Sequence, residues 1–195
     1  MQAPDEAAPL KAYINRIVAI NGTQWDAIRQ LVEIKHYRRK ELFHREGTNC
    51  TLAGFILAGC FRSVKEMDGE ERTFDFAIEN EFVTDYYSIL TKTPSEFNIV
   101  ALEDATVAVM KSEALFNLFD SDITLQKFGR HVAEQTCCYY QQRLLSAFFH
   151  SPRQRYQRLL TEWPDVVLRV PQHVIANYLG VTKETLSRIR KKISQ

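Results

Sequence analysis

A chain of 195 residues with 45% hydrophobic side chains can bury a sizeable core, which excludes a globally disordered polymer. No apolar run nears the ~20 residues of a membrane-spanning helix, and Met1 to Leu10 hold acidic residues without the basic start of a secretory leader, so a cytoplasmic protein is expected. The net charge of +1 hides a division: residues 151–195 carry nine Lys/Arg against three Asp/Glu, residues 1–150 sixteen against twenty-one. A basic end on an acidic body suits a polyanion partner.

Residues 10–31 are expected to form one or two short helices, with Thr23 as N-cap for Gln24 to Leu31, where Trp25, Ile28 and Leu31 recur on one face. From Glu33 to Met110 the pattern becomes β-like: Phe55 to Leu57, Phe61 to Val64, Thr73 to Ile78, and Ile99 to Met110. Asp68-Gly69, between two alternating runs, is the clearest hairpin signal. Short strands at this spacing suggest a sandwich or small barrel. After Lys111 the pattern is helical to about Phe149. Leu125, Phe128, Val132, Thr136 and Tyr139 line one face, and Ala133, Cys137, Tyr140, Leu144 and Phe148 a second. A helix apolar on two sides must bury both, one against its own barrel and the other against a second copy. We assign the seam to Leu125, Phe128, Val132 and Tyr139. Ser151-Pro152 starts a new helix running to about Trp163, and Val166 to Val170 is expected to be extended.

Pro171 to Arg190 has the pattern of a helix-turn-helix. Ile175 and Leu179 form the inward stripe of the first helix, and Ala176 permits close approach of the second. Gly180 allows the left-handed turn, Val181 plugs it, and Thr182 caps the next helix. Leu186, Ile189 and Ile193 point inward, while Lys183, Glu184, Ser187, Arg188 and Lys191 share a broad polar face. Arg can bond a guanine edge with two parallel hydrogen bonds, Glu can accept from a cytosine amine, and Lys or Ser can reach bases or phosphates. Double-stranded DNA is the expected partner, contacted by Gln172, Thr182, Lys183, Glu184, Thr185, Ser187, Arg188 and Lys191.

The order of small helices, barrel, long helix and helix-turn-helix resembles the CRP/FNR family of bacterial regulators. Gly180, Thr182, Glu184, Thr185, Ser187, Arg188 and Ile189 match its G-x-[ST]-x-E-T-x-[SG]-R-[IL] run. The resemblance implies an α+β fold: a jelly-roll (double-stranded β-helix) sensor barrel over residues 1–120, a dimerisation helix over 121–149, and a DNA-binding unit over 150–195. It implies a homodimeric transcription regulator with Glu184 and Arg188 at base-reading positions. The effector pocket falls on Thr84, Asp85, Tyr86, Ser95, Glu96, Tyr139 and Tyr140. Cyclic-nucleotide members hold ribose and phosphate with G-E and R-S/T pairs, where Thr84-Asp85 and Ser95-Glu96 stand here. An anion at that place loses its Arg and meets a carboxylate, so a small-molecule effector other than a cyclic nucleotide is expected.

No catalytic motif or phosphate-binding glycine loop is found, so no enzyme is expected. No metal or cofactor is expected: no iron–sulfur cysteine group precedes Cys50, and His36, His44 and His131 carry no haem signature. The alternatives are a redox-responsive regulator using Cys137 and Cys138, and an interaction module that does not bind DNA. The four cysteines (Cys50, Cys60, Cys137, Cys138) are expected to be reduced and buried.

Overall fold

The computed structural model describes residues 5–193. Met1 to Pro4, part of the segment expected to hold no secretory leader, lie outside the described residues. Helices α1 (Ala8–Ile17) and α2 (Gly22–Leu31) come first. The cap of α2 is Asn21, not Thr23: Asn21 accepts from the Gln24 amide and Gln24 returns the bond to the Asn21 amide, both at 2.9 Å. This reciprocal pair satisfies two amide donors that a lone Thr23 would leave open.

Eight strands follow: β1 (Glu33–Tyr37), β2 (Leu42–His44), β3 (Leu52–Ala58), β4 (Phe61–Met67), β5 (Glu70–Ala77), β6 (Phe82–Val83), β7 (Asn98–Ala101) and β8 (Ala105–Lys111), with a short helix α3 (Tyr86–Thr91) between β6 and β7. They do not close into one barrel but form two antiparallel four-stranded sheets of jelly-roll type, β1-β8-β3-β6 and β2-β7-β4-β5. The expected strand from Ile99 to Met110 is two strands in different sheets, parted at Leu102 to Asp104. The hairpin at Asp68-Gly69 is present, and both residues adopt the positive φ that such a two-residue turn requires.

The middle strands of the first sheet, β3 and β8, are buried on both sides. Ile56, Val107 and Val109 pack between the sheets with Tyr37, Phe43, Phe61 and Ile99, while Phe55, Ala108 and Met110 face the helices. That explains a continuous apolar run in β8 where a half-buried strand would alternate. At Gly59 the chain turns tightly against Ala105: an added Cβ would lie 2.4 Å from that residue's own Cβ, at φ +107°.

Beyond β8, α4 (Ser112–Ser121) and α5 (Ile123–Phe149) are separate helices. Asp122 divides them by capping α5 through the amides of Thr124 and Leu125. Leu125 and Phe128 are buried against the chain's own sheet and α1, with Val132 partly buried beside them. Of the expected seam, Leu125 and Phe128 are buried within one subunit, while Val132 and Tyr139 are half-buried on the same face. The other face is open: Tyr140, Leu144 and Phe148 are exposed, with Phe148 at 74%.

Four helices complete the fold: α6 (Pro152–Glu162), α7 (Pro164–Arg169), α8 (Gln172–Leu179) and α9 (Lys183–Ile193). Ser151 caps α6 in a reciprocal pair with Gln154. The stretch expected to be extended, Val166 to Val170, lies mostly within α7. Its β-branched residues carry only a weak extended preference, and burying Val166 and Val170 one helical turn apart overrides it.

Candidate functional site

Two regions collect chemistry-bearing side chains. The first is α8 and α9. Pro171 stands at the N-cap of α8, one step before the first turn expected for it. Gly180 ends α8 in the left-handed region at φ 66°, and the Val181 amide bonds back to the Ala176 carbonyl. Thr182 caps α9 by accepting from the Thr185 amide at 3.2 Å. Ile175, Ala176, Leu179 and Leu186 are buried, and Ile189 and Ile193 pack against them. Lys183, Glu184, Ser187, Arg188 and Lys191 are exposed together on α9, Thr182 and Gln172 are exposed nearby, and Thr185 is half-buried at the edge. With the amide end of α9 at the same place, this surface offers donors and positive charge to an anionic strand. Glu184 keeps its carboxyl below the ordinary value: it accepts from its own backbone amide and from Thr182, and lies near Lys183 and Arg188.

The helical pair is anchored to the jelly roll. Asn177 clips the edge of β5, its Oδ1 accepting from the Thr73 amide at 2.6 Å and its Nδ2 donating to the Glu71 carbonyl at 2.7 Å. Arg143 of α5 donates to the Tyr178 hydroxyl and to the Phe74 carbonyl. Arg169 spans Glu79 and Glu103. Burial opposes ionisation of Glu79, but donation from Arg169 and the Gly59 amide wins and holds its carboxyl below the usual range.

The second region is a cavity of about 310 Å³ between the β4-β5 sheet, β6, α5 and Trp163. On β5, Ser63 pairs with Asp75 and Val64 with Thr73, so Phe74 is an extra residue that changes which way the strand faces. Downstream of it Asp75 is buried and accepts from the Tyr139 hydroxyl at 2.5 Å, the Tyr140 hydroxyl at 3.1 Å and the Phe76 amide at 3.0 Å. Burial raises the Asp75 carboxyl despite these donors. Burial, then the neighbouring Asp75 charge, push both tyrosines up, so they remain donors. Across the cavity Glu81 accepts from the Ile78 amide at 3.0 Å and the Trp163 indole at 3.2 Å. The rings of Tyr139 and Trp163 meet at a tilt of 52° with centroids 5.5 Å apart, which joins the cavity to the start of α7.

Of the effector positions expected from resemblance, Thr84, Tyr139 and Tyr140 line this cavity. Asp85, Tyr86, Ser95 and Glu96 do not. Asp85 caps α3 through the Ser88 amide, and Tyr86 is exposed on that helix. Ser95 is buried in its own turn with Phe97, and Glu96 pairs with Lys65. Asp75, Glu81, Arg62 and Trp163 were not anticipated. Cys50 and Cys60 are buried as expected, and burial pushes the Cys60 thiol up to about 12, but Cys137 and Cys138 are exposed on α5. Among the described residues no group of three or more His, Cys, Asp or Glu side chains is placed to hold a metal ion, and no helix is long and apolar enough to cross a membrane.

Glu81 carries a pH signature. Burial raises its carboxyl from 4.5 to about 7; the Ile78 amide opposes, Asp75 adds to the rise, Trp163 opposes and Glu79 adds. The folded chain thus holds this proton more tightly than the unfolded chain. Its stabilisation is complete below pH 4.5 and is lost as pH rises through about 7. At ~1.4 kcal/mol per unit, the loss is about 3 kcal/mol. Glu81→Gln, which mimics the protonated acid, is expected to flatten this part of the stability profile in denaturant melts from pH 4 to 8. An unchanged profile would refute the assignment.

Residues 34–122 match the family model of the cyclic nucleotide-binding domain. No curated protein matches the sequence. Among solved structures, the chain is similar to FixK2 from Bradyrhizobium japonicum (18% identity, 84% of each chain covered, TM-score 0.73). It is also similar to a CooA variant from Carboxydothermus hydrogenoformans (16% identity, 93% of this chain and 82% of that one, TM-score 0.67). A third is the c-di-GMP-responsive global regulator CLP of Xanthomonas campestris (17% identity, 89% and 92%, TM-score 0.65). At these identities the likeness is one of fold, shared with these proteins over most of the chain.

Proposed function

We propose that this chain, with a cyclic-nucleotide-binding-type domain and the fold of CRP/FNR regulators, is a homodimeric, sequence-specific DNA-binding transcription regulator of the cytoplasm. Residues 1–120 act as sensor, 121–149 as dimerisation helix and 150–195 as DNA-binding unit. The observation that carries the reading is the α8–α9 unit: a buried apolar seam, a left-handed Gly180 turn, and exposed Lys183, Glu184, Ser187 and Arg188 at the start of the second helix. A helix so presented enters a major groove by its N-terminal end, where its side chains meet base edges. Gln172, Thr182 and Thr185 border that surface and contact the backbone.

The dimer forms along the exposed face of α5 through Cys137, Tyr140, Leu144 and Phe148. That face runs into an apolar hollow of about 700 Å³ bordered by Tyr86, Tyr87, Leu90, Phe119 and Ala133, which a second copy covers. An effector in the cavity beside Tyr139 bears on Trp163 and through it on the docking of α8 and α9. Selection of bound fragments from a random DNA pool tests the reading. The expected product is a pseudo-palindrome whose half-sites are centred about one helical turn, ~34 Å, apart. A pool recovered without any shared sequence would reject it.

A further inference from the structure

The cavity beside Tyr139 is rich in aromatic rings and holds two carboxyl groups against one cation. Tyr13, Phe82, Tyr139, Tyr140 and Trp163 present aromatic rings to it, and Asp75 and Glu81 present carboxyl groups. Arg62, the single cation among the lining residues, is already bridged to Glu71. We propose that this cavity binds a small organic cation, a protonated amine or amidinium on a compact apolar body, held between Asp75, Glu81 and the aromatic rings. The proposal rests on the reading of the first domain as a sensor and names the class of its effector.

Three physical arguments converge on a cation. Ring faces carry the negative end of the aromatic quadrupole, and several of them around one space attract a positive charge, more strongly when it is desolvated. Asp75 and Glu81 share the lining with Arg62, which is itself paired with Glu71, and Asp75 also feels Arg143; an entering cation favours the ionised form of both carboxyls, whereas an anion meets repulsion from it. The acceptors are also positioned: Asp75 is fixed by the hydroxyls of Tyr139 and Tyr140, and Glu81 by the Trp163 indole and the Ile78 amide. Positioned acceptors lose little freedom on binding. Arg62 keeps a buried Nε without a protein partner, so a ligand with an uncharged acceptor oxygen near its cationic nitrogen would also satisfy that donor.

The test uses four probes against the full chain: benzamidine (a flat cation), benzamide (its neutral counterpart), benzoate (an anion) and cyclic AMP. Binding is followed by calorimetry and by tryptophan emission, to which Trp163 in the cavity wall contributes. The expected result is saturable binding of benzamidine at least about tenfold tighter than benzamide, with benzoate and cyclic AMP silent up to about 10 mM. Asp75→Asn is expected to lower benzamidine affinity about tenfold while leaving benzamide unchanged. Should Asp75→Asn fail to fold, Glu81→Gln is read in the same way. Equal binding of benzamidine and benzamide, tighter binding of benzoate or cyclic AMP, or no saturable benzamidine binding overturns the proposal. Operator binding does not enter this experiment. Its failure leaves the DNA-binding reading standing, and failure of the DNA selection leaves the cation site standing.

Discussion

Replacing Leu144 by Glu is expected to leave a folded protein that sediments as a monomer and loses its operator. Leu144 is 58% exposed in the single chain, so the charge costs little within one subunit. In a two-fold dimer the same change occurs twice at one seam, and burying a leucine-sized side chain contributes about 1.5–3 kcal/mol each time. The sum exceeds what a hundredfold weakening of the dimer requires, about 2.7 kcal/mol. Operator affinity falls with it, since each half-site is then bound alone and the gain from linkage, about a hundredfold or more, is lost. Val132→Asp behaves differently. It places a charge where α5 covers its own sheet, so it lowers the melting temperature as well. The readouts are sedimentation velocity, thermal melts and titration of selected DNA. A Leu144→Glu protein that remains dimeric, or a monomer with unchanged operator affinity, would refute the seam.

The second large effect is expected at Arg188. It stands one turn beyond Glu184 on the exposed face of α9, where its planar fork can meet guanine O6 and N7 together. Arg188→Ala should cost about 1–3 kcal/mol on the selected operator and relax preference at one base pair in each half-site. Arg188→Lys should recover little, because an ammonium cannot form the two parallel bonds. Lys191 lies nearly another turn along, further from the end that enters the groove, and phosphate suits it better. Its loss should weaken all sequences alike and reduce the salt dependence by about one counterion. Binding of each variant to operator and to scrambled DNA across a salt series separates the two roles. Equal weakening of both DNAs by Arg188→Ala would remove that residue from base reading.

The legible parts of this molecule are those whose structure is local. Gly180 and Thr182 announce their turn because the left-handed backbone and the capped amide lie within a few residues of them. Asp68-Gly69 marks its hairpin for the same reason. The inward residues Ile175, Leu179 and Leu186 and the outward Lys183, Glu184, Ser187 and Arg188 separate by helical period alone. The one departure near them is also local in kind: Thr23 fits the pattern of a cap, but Asn21, two residues earlier, takes the role by pairing with Gln24.

The carboxyl groups of the cavity and the free face of α5 were not legible, because each depends on which partner a residue meets across the fold. Asp75 stands between Phe74 and Phe76 in an alternating run, and strict alternation would turn it to solvent. The extra residue at Phe74 is recorded only in the pairing of β5 with β4, and it brings Asp75 to Tyr139 and Tyr140, more than sixty positions away. Likewise, periodicity reveals two apolar faces on α5 but not which one the jelly roll takes. Both satisfy the same spacing, and only the placement of α1 and the first sheet buries Leu125 and Phe128 while leaving Leu144 and Phe148 open. The sequence by itself determined the order of elements, the basic end and the α8–α9 unit, since caps, turns and periodicity act over one or two turns of chain. The tertiary structure alone decided where the charges of the cavity converge and which face of the long helix is free, since burial is a property of surfaces brought together from distant parts of the chain.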